Sequence, residues 1–138
     1  SFGVREVVFQ NETVGGKNTF SLSHGPNVLW DENYFSENFE KMKPLLNRIK
    51  HNYLYRMVGN LYTHTKDIIR HANHIDFNAP HTTCLYYINT NNGKTILNDD
   101  VLVDSVANRL LVFDGLTPHC STTCSDEKVR MNVNVNVR

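Results

Sequence analysis

Three residues that can bind a transition metal follow one another along the chain, in the order His74, Asp76 and His119. Residues two positions apart on a β-strand project from the same face, so His74 and Asp76 could converge on one ion. A histidine from a later strand would complete a 2-His-1-carboxylate facial triad, which holds Fe(II) and leaves positions open for dioxygen and a co-substrate. The spacing therefore predicts an iron site of the oxygenase type.

Three other histidines near the first ligand in sequence are predicted not to bind the metal. His71 lies three positions before His74, which is off the two-residue period that pairing with Asp76 on a strand would need. His64 and His81 are also interpreted as non-ligands, because a histidine taken singly is more often a surface or capped residue.

The composition argues against several classes of partner. With 14 basic and 14 acidic side chains among 138 residues, the chain has no net charge that would draw it to nucleic acid or to an anionic membrane surface. No apolar run approaches the roughly 20 residues that a transmembrane helix needs, so no membrane association is expected.

The cysteines favour a reducing environment. Cys84, Cys120 and Cys124 are an odd number and do not form the pattern of a disulfide framework. Cys120 and Cys124 have no second CxxC-like pair, so a zinc site is not predicted there. Reduced thiols and ferrous iron are both compatible with a cytoplasmic location, which is the expectation.

The elements that must position the triad are mostly β-strands. We predict a helix over 36–50, with Ser36 as its N-cap and a kink at Pro44. The predicted strands lie at 4–10, around 19–22, and at 54–62, 73–77, 82–90, 94–98, 101–104, 108–113, 117–122 and 128–137. Turns are predicted at 91–93, 98–100 and 114–115.

Many short strands at this spacing favour a mostly β fold with helices on one face, a double-stranded β-helix or jelly-roll barrel. We expect a single domain over 1–138, with an N-terminal strand and helix in about 1–52 and the barrel core in about 53–138.

The last predicted strand has two faces of opposite character. Its apolar positions are Met131, Val133, Val135 and Val137, and its polar positions are Arg130, Asn132, Asn134 and Asn136. The apolar face must pack against another layer, here the helix. The polar face would look at water on an ordinary strand, but in a small barrel it would line an internal site, and the triad favours the internal site.

From Met57 to Val137 the chain resembles the iron(II)- and 2-oxoglutarate-dependent dioxygenases, and most of all their prolyl-4-hydroxylase-like branch, which includes small bacterial and phage members. The stretches that carry the resemblance read MVGNLYTHTKDIIRHANHIDF, HTTCLYYINTNNGKTIL, NRLLVFDGLTPHCS and KVRMNVNVNV. This family implies a double-stranded β-helix barrel. The residues before 50 match it only loosely.

Position by position, the resemblance makes His74, Asp76 and His119 the iron ligands. Arg130 corresponds to the basic residue that binds the distal carboxylate of 2-oxoglutarate. A guanidinium suits that role because it is always charged and binds a carboxylate through a bidentate fork. Tyr87 falls where the family places a phenol against the same carboxylate.

Four further residues are implied as co-substrate contacts: Asn60, Tyr62, Thr95 and Asn132. Ordinary structural interpretations stay open for several positions. Tyr87 could be a core aromatic residue whose hydroxyl has a hydrogen-bond partner. Thr95 could be present because threonine favours β-strands, and Asn60 could belong to a turn or a sheet edge.

The reaction implied by the resemblance converts 2-oxoglutarate to succinate and CO2 while dioxygen supplies a hydroxyl group to a C–H bond. The expected primary substrate is a peptide or small molecule, with a peptidyl residue such as proline favoured. Both histidines must be neutral to bind iron, so acid should release the metal before it unfolds the domain. The sequence does not indicate an oligomeric state.

Two other functions stay open. A nucleic-acid dealkylase of the same superfamily would share the Asn-x-Tyr and Arg-x-Asn patterns, but such enzymes carry a further arginine where this chain has Asn136. The absence of net charge also argues against nucleic acid as a partner. A non-enzymatic metal-binding β-barrel that acts as a sensor is the second alternative, although it would not need the anchoring Arg130.

The chain also departs from the family pattern in two places. Asn92-Gly93 stands where a glycine pair is common, and the spacing from His119 to Arg130 is slightly long.

Overall fold

The computed structural model describes residues 10–13, 16–18, 30–31, 34–35 and 38–138, with side chains described from Asn38 onward. The elements are β1 (Gln10–Thr13), β2 (Gly16–Asn18), β3 (Trp30–Asp31), β4 (Tyr34–Phe35), α1 (Phe39–Leu46), β5 (Leu54–Thr63), β6 (Thr82–Tyr87), β7 (Asn91–Leu97), β8 (Val101–Ser105), β9 (Leu110–Asp114), β10 (His119–Ser121) and β11 (Val129–Val137). The strand predicted around 19–22, most of the one predicted over 4–10, and Ser36 lie outside the described residues.

The strands form two sheets. The larger has the order β2-β1-β5-β11-β6-β9, with β3 pairing with both β5 and β4, and the smaller has the order β10-β7-β8. All pairs are antiparallel except β1 with β5. Residues 69–74 run beside β10 on its other side, through the bridges Arg70–Thr122 and His74–His119.

From β5 onward the chain passes back and forth between the two sheets. It leaves β5 for the segment 69–74, returns to β6, crosses to β7 and β8, returns to β9, crosses to β10 and ends in β11. This alternation of antiparallel strands between two facing sheets is a jelly roll. The predicted fold class, mostly β with helix on one face, is confirmed.

The apolar face of β11 packs against the helix, as predicted. Val133, Val135 and Val137 form a buried cluster with Phe39 and Leu46 of α1. Two layers that each bury one apolar face account for this core. The helix is shorter than predicted: it begins at Phe39, ends at Leu46 and contains Pro44 in its last turn. Its N-cap is Asn38, so the prediction of Ser36 as the N-cap is wrong.

The polar face of β11 is buried between the sheets, which confirms the internal placement predicted for it. Arg130, Asn132 and Asn136 are fully buried, and Asn134 nearly so. Buried amides and cations are costly unless they form hydrogen bonds, so the facing strands must supply partners at fixed positions.

Two predicted local structures are wrong. Residues 73–77 are not a strand: His74 forms a single bridge with His119, and the chain bends at Asp76. Residues 91–93 are not a turn but the start of β7, where the pairing with β8 shifts register between Asn91 and Lys94.

The turn predicted at 98–100 is confirmed, with positive φ at Asn98 and Asp99. Asparagine and aspartate tolerate this left-handed conformation better than most residues. The turn predicted at 114–115 is confirmed as well.

The three cysteines are free and buried, so the prediction of no disulfide is confirmed. Burial raises the pKa of the Cys84 thiol to about 11. Within the described part of the chain, the one helix lacks the length and apolar character to span a lipid bilayer.

Replacing Leu54, which is fully buried in the cluster beneath β11, with alanine should lower the free energy of unfolding by about 2–5 kcal/mol, because it leaves a cavity. Leu102→Ala on β8 is the matched control, since that side chain is 62% exposed and its loss should cost less than about 0.5 kcal/mol. Urea denaturation of both variants measures the difference, and equal costs would contradict the placement of the core.

Candidate metal centre

His74, Asp76 and His119 come together at one end of the barrel interior. Asp76 Oδ1 lies 3.4 Å from His74 Nε2 and 3.7 Å from His119 Nε2. One ligand atom from each of the three residues lies within 4.8 Å of the others. Among the described residues this is the one group of histidine, cysteine or carboxylate side chains spaced to hold a metal ion.

The two histidines are brought together by their backbones. His74 N donates to His119 O at 2.9 Å, and His119 N donates to His74 O at 3.0 Å. Residues that exchange both backbone hydrogen bonds lie directly opposite each other, with their side chains on the same face. The ring centroids are 4.5 Å apart. The pairing replaces the strand geometry that the sequence had predicted for His74 and Asp76.

The orientation of each imidazole is fixed by a carbonyl oxygen. His119 Nδ1 lies 2.8 Å from Thr117 O, and His74 Nδ1 lies 3.3 Å from Ala72 O. A carbonyl oxygen can only accept, so Nδ1 carries the proton in the neutral ring, and the lone pair of Nε2 is left to face the other ligands. Such outer contacts are typical of histidines that bind metals.

The carboxylate of Asp76 is held by two amides from β11. Asn134 Nδ2 donates to Asp76 Oδ2 at 2.9 Å, and Asn136 Nδ2 donates to the same oxygen at 2.8 Å. Asn136 also donates to Thr83 Oγ1 at 3.2 Å. Both amides use Oδ2, so Oδ1 remains directed toward the histidines as the ligand atom.

Asp76 is ionised despite its burial. Burial acts to raise the pKa of its carboxyl group, but the adjacent imidazoles of His119 and His74 act in the opposite direction. The positive charge of Arg56 and the amide of Asn134 lower the pKa further, and the net result is a pKa well below the usual range. The site therefore offers two nitrogen donors and one anionic oxygen.

The three ligands line a cavity of about 170 Å³ between the sheets. Asn60, Tyr62 and Thr95 also line it, and these are three of the six residues that the resemblance implied as co-substrate contacts. Drug-sized ligands usually occupy about 300–1,000 Å³, so this cavity suits a small molecule. The side chain of His74 is 35% exposed, whereas those of Asp76 and His119 are almost fully buried, so the centre opens to solvent past His74.

Arg130, Tyr87 and Asn132 lie immediately behind the cavity wall. Arg130 is fully buried, and its Nη2 donates to Thr95 Oγ1 at 3.3 Å. Tyr87 donates its hydroxyl to the same Thr95 oxygen at 2.7 Å. Asn132 Oδ1 accepts from Asn60 Nδ2 at 2.8 Å. Each of the three therefore contacts a residue that lines the cavity.

The guanidinium of Arg130 has neutral partners. Its Nε donates to Ser105 Oγ at 3.0 Å, and its Nη1 donates to Ser121 Oγ and Thr122 O, both at 3.2 Å. Its central carbon, Cζ, lies 4.8 Å from the centre of the Tyr62 ring. No carboxylate among the described residues forms an ion pair with it. A buried cation without an anion is costly, so this end of the cavity is suited to an anionic ligand.

Tyr87 serves as a neutral donor. Burial raises the pKa of its phenol, while the hydrogen bond to Thr95 and the charge of Arg130 act against the rise without cancelling it. The phenol keeps its proton at neutral pH.

Gly93 makes room for Arg130. A methyl group built on Gly93 would lie 2.5 Å from Arg130 Cδ and 2.8 Å from Asn91 Oδ1. At the irregular start of β7, the backbone of Gly93 lies against the Cδ and Nε atoms of Arg130, where a side chain would not fit. This is where the chain has Asn92-Gly93 in place of the glycine pair common in the family it resembles.

Asn134 and Asn136 were predicted from the sequence to face the interior but were given no role in the site, and Arg56 and Ser121 were not predicted to belong to it. Asn134 and Asn136 carried a signal, since they share the buried face of β11 with Arg130 and Asn132. Ser121 and Arg56 carried none, because their placement depends on strands that pair from distant parts of the chain.

Comparison with known proteins gives only distant likenesses. No protein-family model and no curated protein matches the chain. An RmlC-like cupin protein from Desulfovibrio desulfuricans is 14% identical, with a TM-score of 0.39 over 58% of this chain and 81% of that one. A Pseudomonas putida prolyl-4-hydroxylase is 18% identical, with a TM-score of 0.44 over 72% of this chain and 61% of that one. The chain thus spans less than two thirds of the hydroxylase, and a function has to be inferred from its own residues.

Replacing Asn136 with alanine should weaken metal binding about 10–100-fold, because Asp76 would lose a hydrogen bond that fixes its Oδ2. Calorimetric titration with Mn(II) measures the affinity. Asn52→Ala is the control, since Asn52 is exposed and lies outside the cavity. Equal affinities in the two variants would contradict the role given to the β11 amides.

Proposed function

We propose that the chain is an Fe(II)- and 2-oxoglutarate-dependent dioxygenase that hydroxylates a C–H bond, with a peptidyl residue such as proline as the favoured target. One observation carries the proposal. A triad of two imidazoles and one carboxylate lines a cavity, and a buried guanidinium lies behind the wall of the same cavity in contact with Thr95. This guanidinium has no carboxylate partner among the described residues.

The donor set fits ferrous iron. Two neutral nitrogens and one carboxylate oxygen on one side of an ion leave the opposite positions for exchangeable ligands, the arrangement used by non-haem Fe(II) oxygenases. The iron would supply the activation of dioxygen and the electron transfer. The protein's part is to hold His74, Asp76 and His119 in place through the backbone pairing and the β11 amides.

The Arg130 end of the cavity fits the distal carboxylate of 2-oxoglutarate. Thr95 lines the cavity and accepts hydrogen bonds from both Arg130 and Tyr87. A carboxylate that reached Thr95 would come within range of a guanidinium and a neutral phenol, and such charge-assisted hydrogen bonds are about twice as strong as neutral ones. Ser121, which also lines the cavity, contributes a further hydroxyl there.

The nucleic-acid dealkylase is the weaker alternative. Asn136 stands where such enzymes carry a second arginine, and its amide donates hydrogen bonds to Asp76 and Thr83. Among the described residues that line the cavity, Arg56 is the one with a fixed positive charge, which falls short of a basic footprint for a phosphate backbone. Nothing in the site specifically favours a sensor.

The protein loaded with Fe(II) should convert 2-oxoglutarate to succinate slowly without a primary substrate, and His119→Ala should reduce this turnover at least about 100-fold, since loss of a ligand should exceed outer-contact effects. Succinate is measured by mass spectrometry. His64→Ala is the matched control, because its exposed ring contacts Glu127 O away from the cavity. Equal turnover in both variants, or none in the unaltered chain, would contradict the proposal.

Arg130→Lys should raise KM for 2-oxoglutarate about 10–100-fold, because a lysine keeps the charge but cannot form the bidentate fork. Mn(II) affinity should stay within about threefold, since Arg130 contacts no triad residue. If Arg130→Lys does not fold, Gly93→Ala displaces the guanidinium without removing it and should shift KM in the same direction. An unchanged KM in both variants would rule out Arg130 as the carboxylate anchor.

A further inference from the structure

One wall of the cavity comes from alternate residues of β5, which are Arg56, Val58, Asn60 and Tyr62. A two-residue period places all four side chains on one face. Tyr62 is the cross-strand partner of Arg130, and Arg56 is the partner of Asn136. Six residues of strand span about 20 Å, so the two arginines stand at opposite ends of this wall.

The guanidinium of Arg56 is only partly satisfied. Its Nε is buried and has no hydrogen-bond partner, and its terminal carbon lies 5.3 Å from the centre of the Phe77 ring. No described carboxylate lies within ion-pair distance of it. An aromatic face attracts the charge but does not accept the N–H in place of an oxygen, so an unsatisfied donor remains at the cavity wall.

The charges of the loaded site do not cancel without a further anion. The ferrous ion carries two positive charges and 2-oxoglutarate carries two negative charges, so these cancel. Arg56 and Arg130 carry two positive charges and Asp76 carries one negative charge, so one positive charge is left over. Arg56 acts on Asp76 electrostatically, but it is the guanidinium that lines the cavity among the described residues, and its buried Nε has no hydrogen-bond partner. In a partly desolvated cavity such a charge favours a bound anion of charge −1.

We propose that Arg56 binds a carboxylate of the primary substrate, so that the site accepts a small amino acid or a peptide end whose carboxylate lies close to the hydroxylated carbon. The inference rests on the proposed function and deepens it. The 2-oxoglutarate end is assigned to Arg130, so the Asn136 end is the one that remains for the primary substrate.

A pair of ligands that differ in one charge tests the inference. N-acetyl-L-proline and its amide are titrated calorimetrically, without oxygen, into the full chain loaded with Mn(II) and 2-oxoglutarate. The acid should bind at least about tenfold more tightly than the amide, as expected for a hydrogen-bonded charge pair. Acetyl-Ala-Ala-Pro as acid and amide distinguishes a free amino acid from a peptide end as the source of the carboxylate.

Variants assign the preference to Arg56. Arg56→Met should remove the difference between acid and amide, Arg56→Lys should retain part of it, and Arg48→Met, an exposed arginine outside the cavity, should leave it unchanged. Equal affinity of acid and amide for the unaltered chain, no binding of either, or a preference that survives Arg56→Met would overturn the inference. Failure to bind Mn(II) and 2-oxoglutarate would instead refute the proposed function.

Discussion

The burial of the polar face of β11 is the constraint on which the rest of the structure depends. β11 lies between β5 and β6 in the larger sheet, and its cation and three amides point into the space between the sheets. Burial without partners is costly, so β5, β6, β7 and the bend at Asp76 supply hydroxyls, amides and a carboxylate that form at least one hydrogen bond with each of these four side chains. Asn132 Nδ2, Asn134 Oδ1 and Asn136 Oδ1 remain buried without a hydrogen-bond partner. The opposite face, packed on α1, supplies the apolar burial that holds this polar layer in place.

The same layer gives the candidate metal centre its geometry. Asp76 stands in a bend, yet two amides of a central strand fix its carboxylate, and a backbone pair between the sheet-forming segments fixes the two histidines. Sites supported by regular elements keep their positions better than sites supported by loops alone. The triad is thus prepared for a metal by contacts that do not involve the metal.

The charged side chains near the cavity lie at different places along its length. One guanidinium stands behind Thr95, one stands beside Asn136, and the single cavity-lining carboxylate among the described residues is Asp76. A site built to hold only a metal would need neither arginine. The two guanidiniums lie near opposite ends of the paired strands β5 and β11, and the proposed co-substrate and substrate would each supply an anionic group to one of them.

The sequence by itself determined the two-faced last strand and the jelly-roll class, because these follow from a two-residue period and from short-range turn chemistry. It grouped His74, Asp76 and His119 correctly as neighbours, but through a strand at 73–77 that is a bend in the structure. It also indicated Arg130, Tyr87 and Thr95, which the structure places within contact of one another. Only the tertiary structure decided that Asp76 reaches the site from a bend, that residues 91–93 begin a strand around Gly93, and that Asn134, Asn136 and Arg56 surround the carboxylate. Each of these features depends on partners from strands far apart in sequence, and no local pattern records which strands will lie side by side.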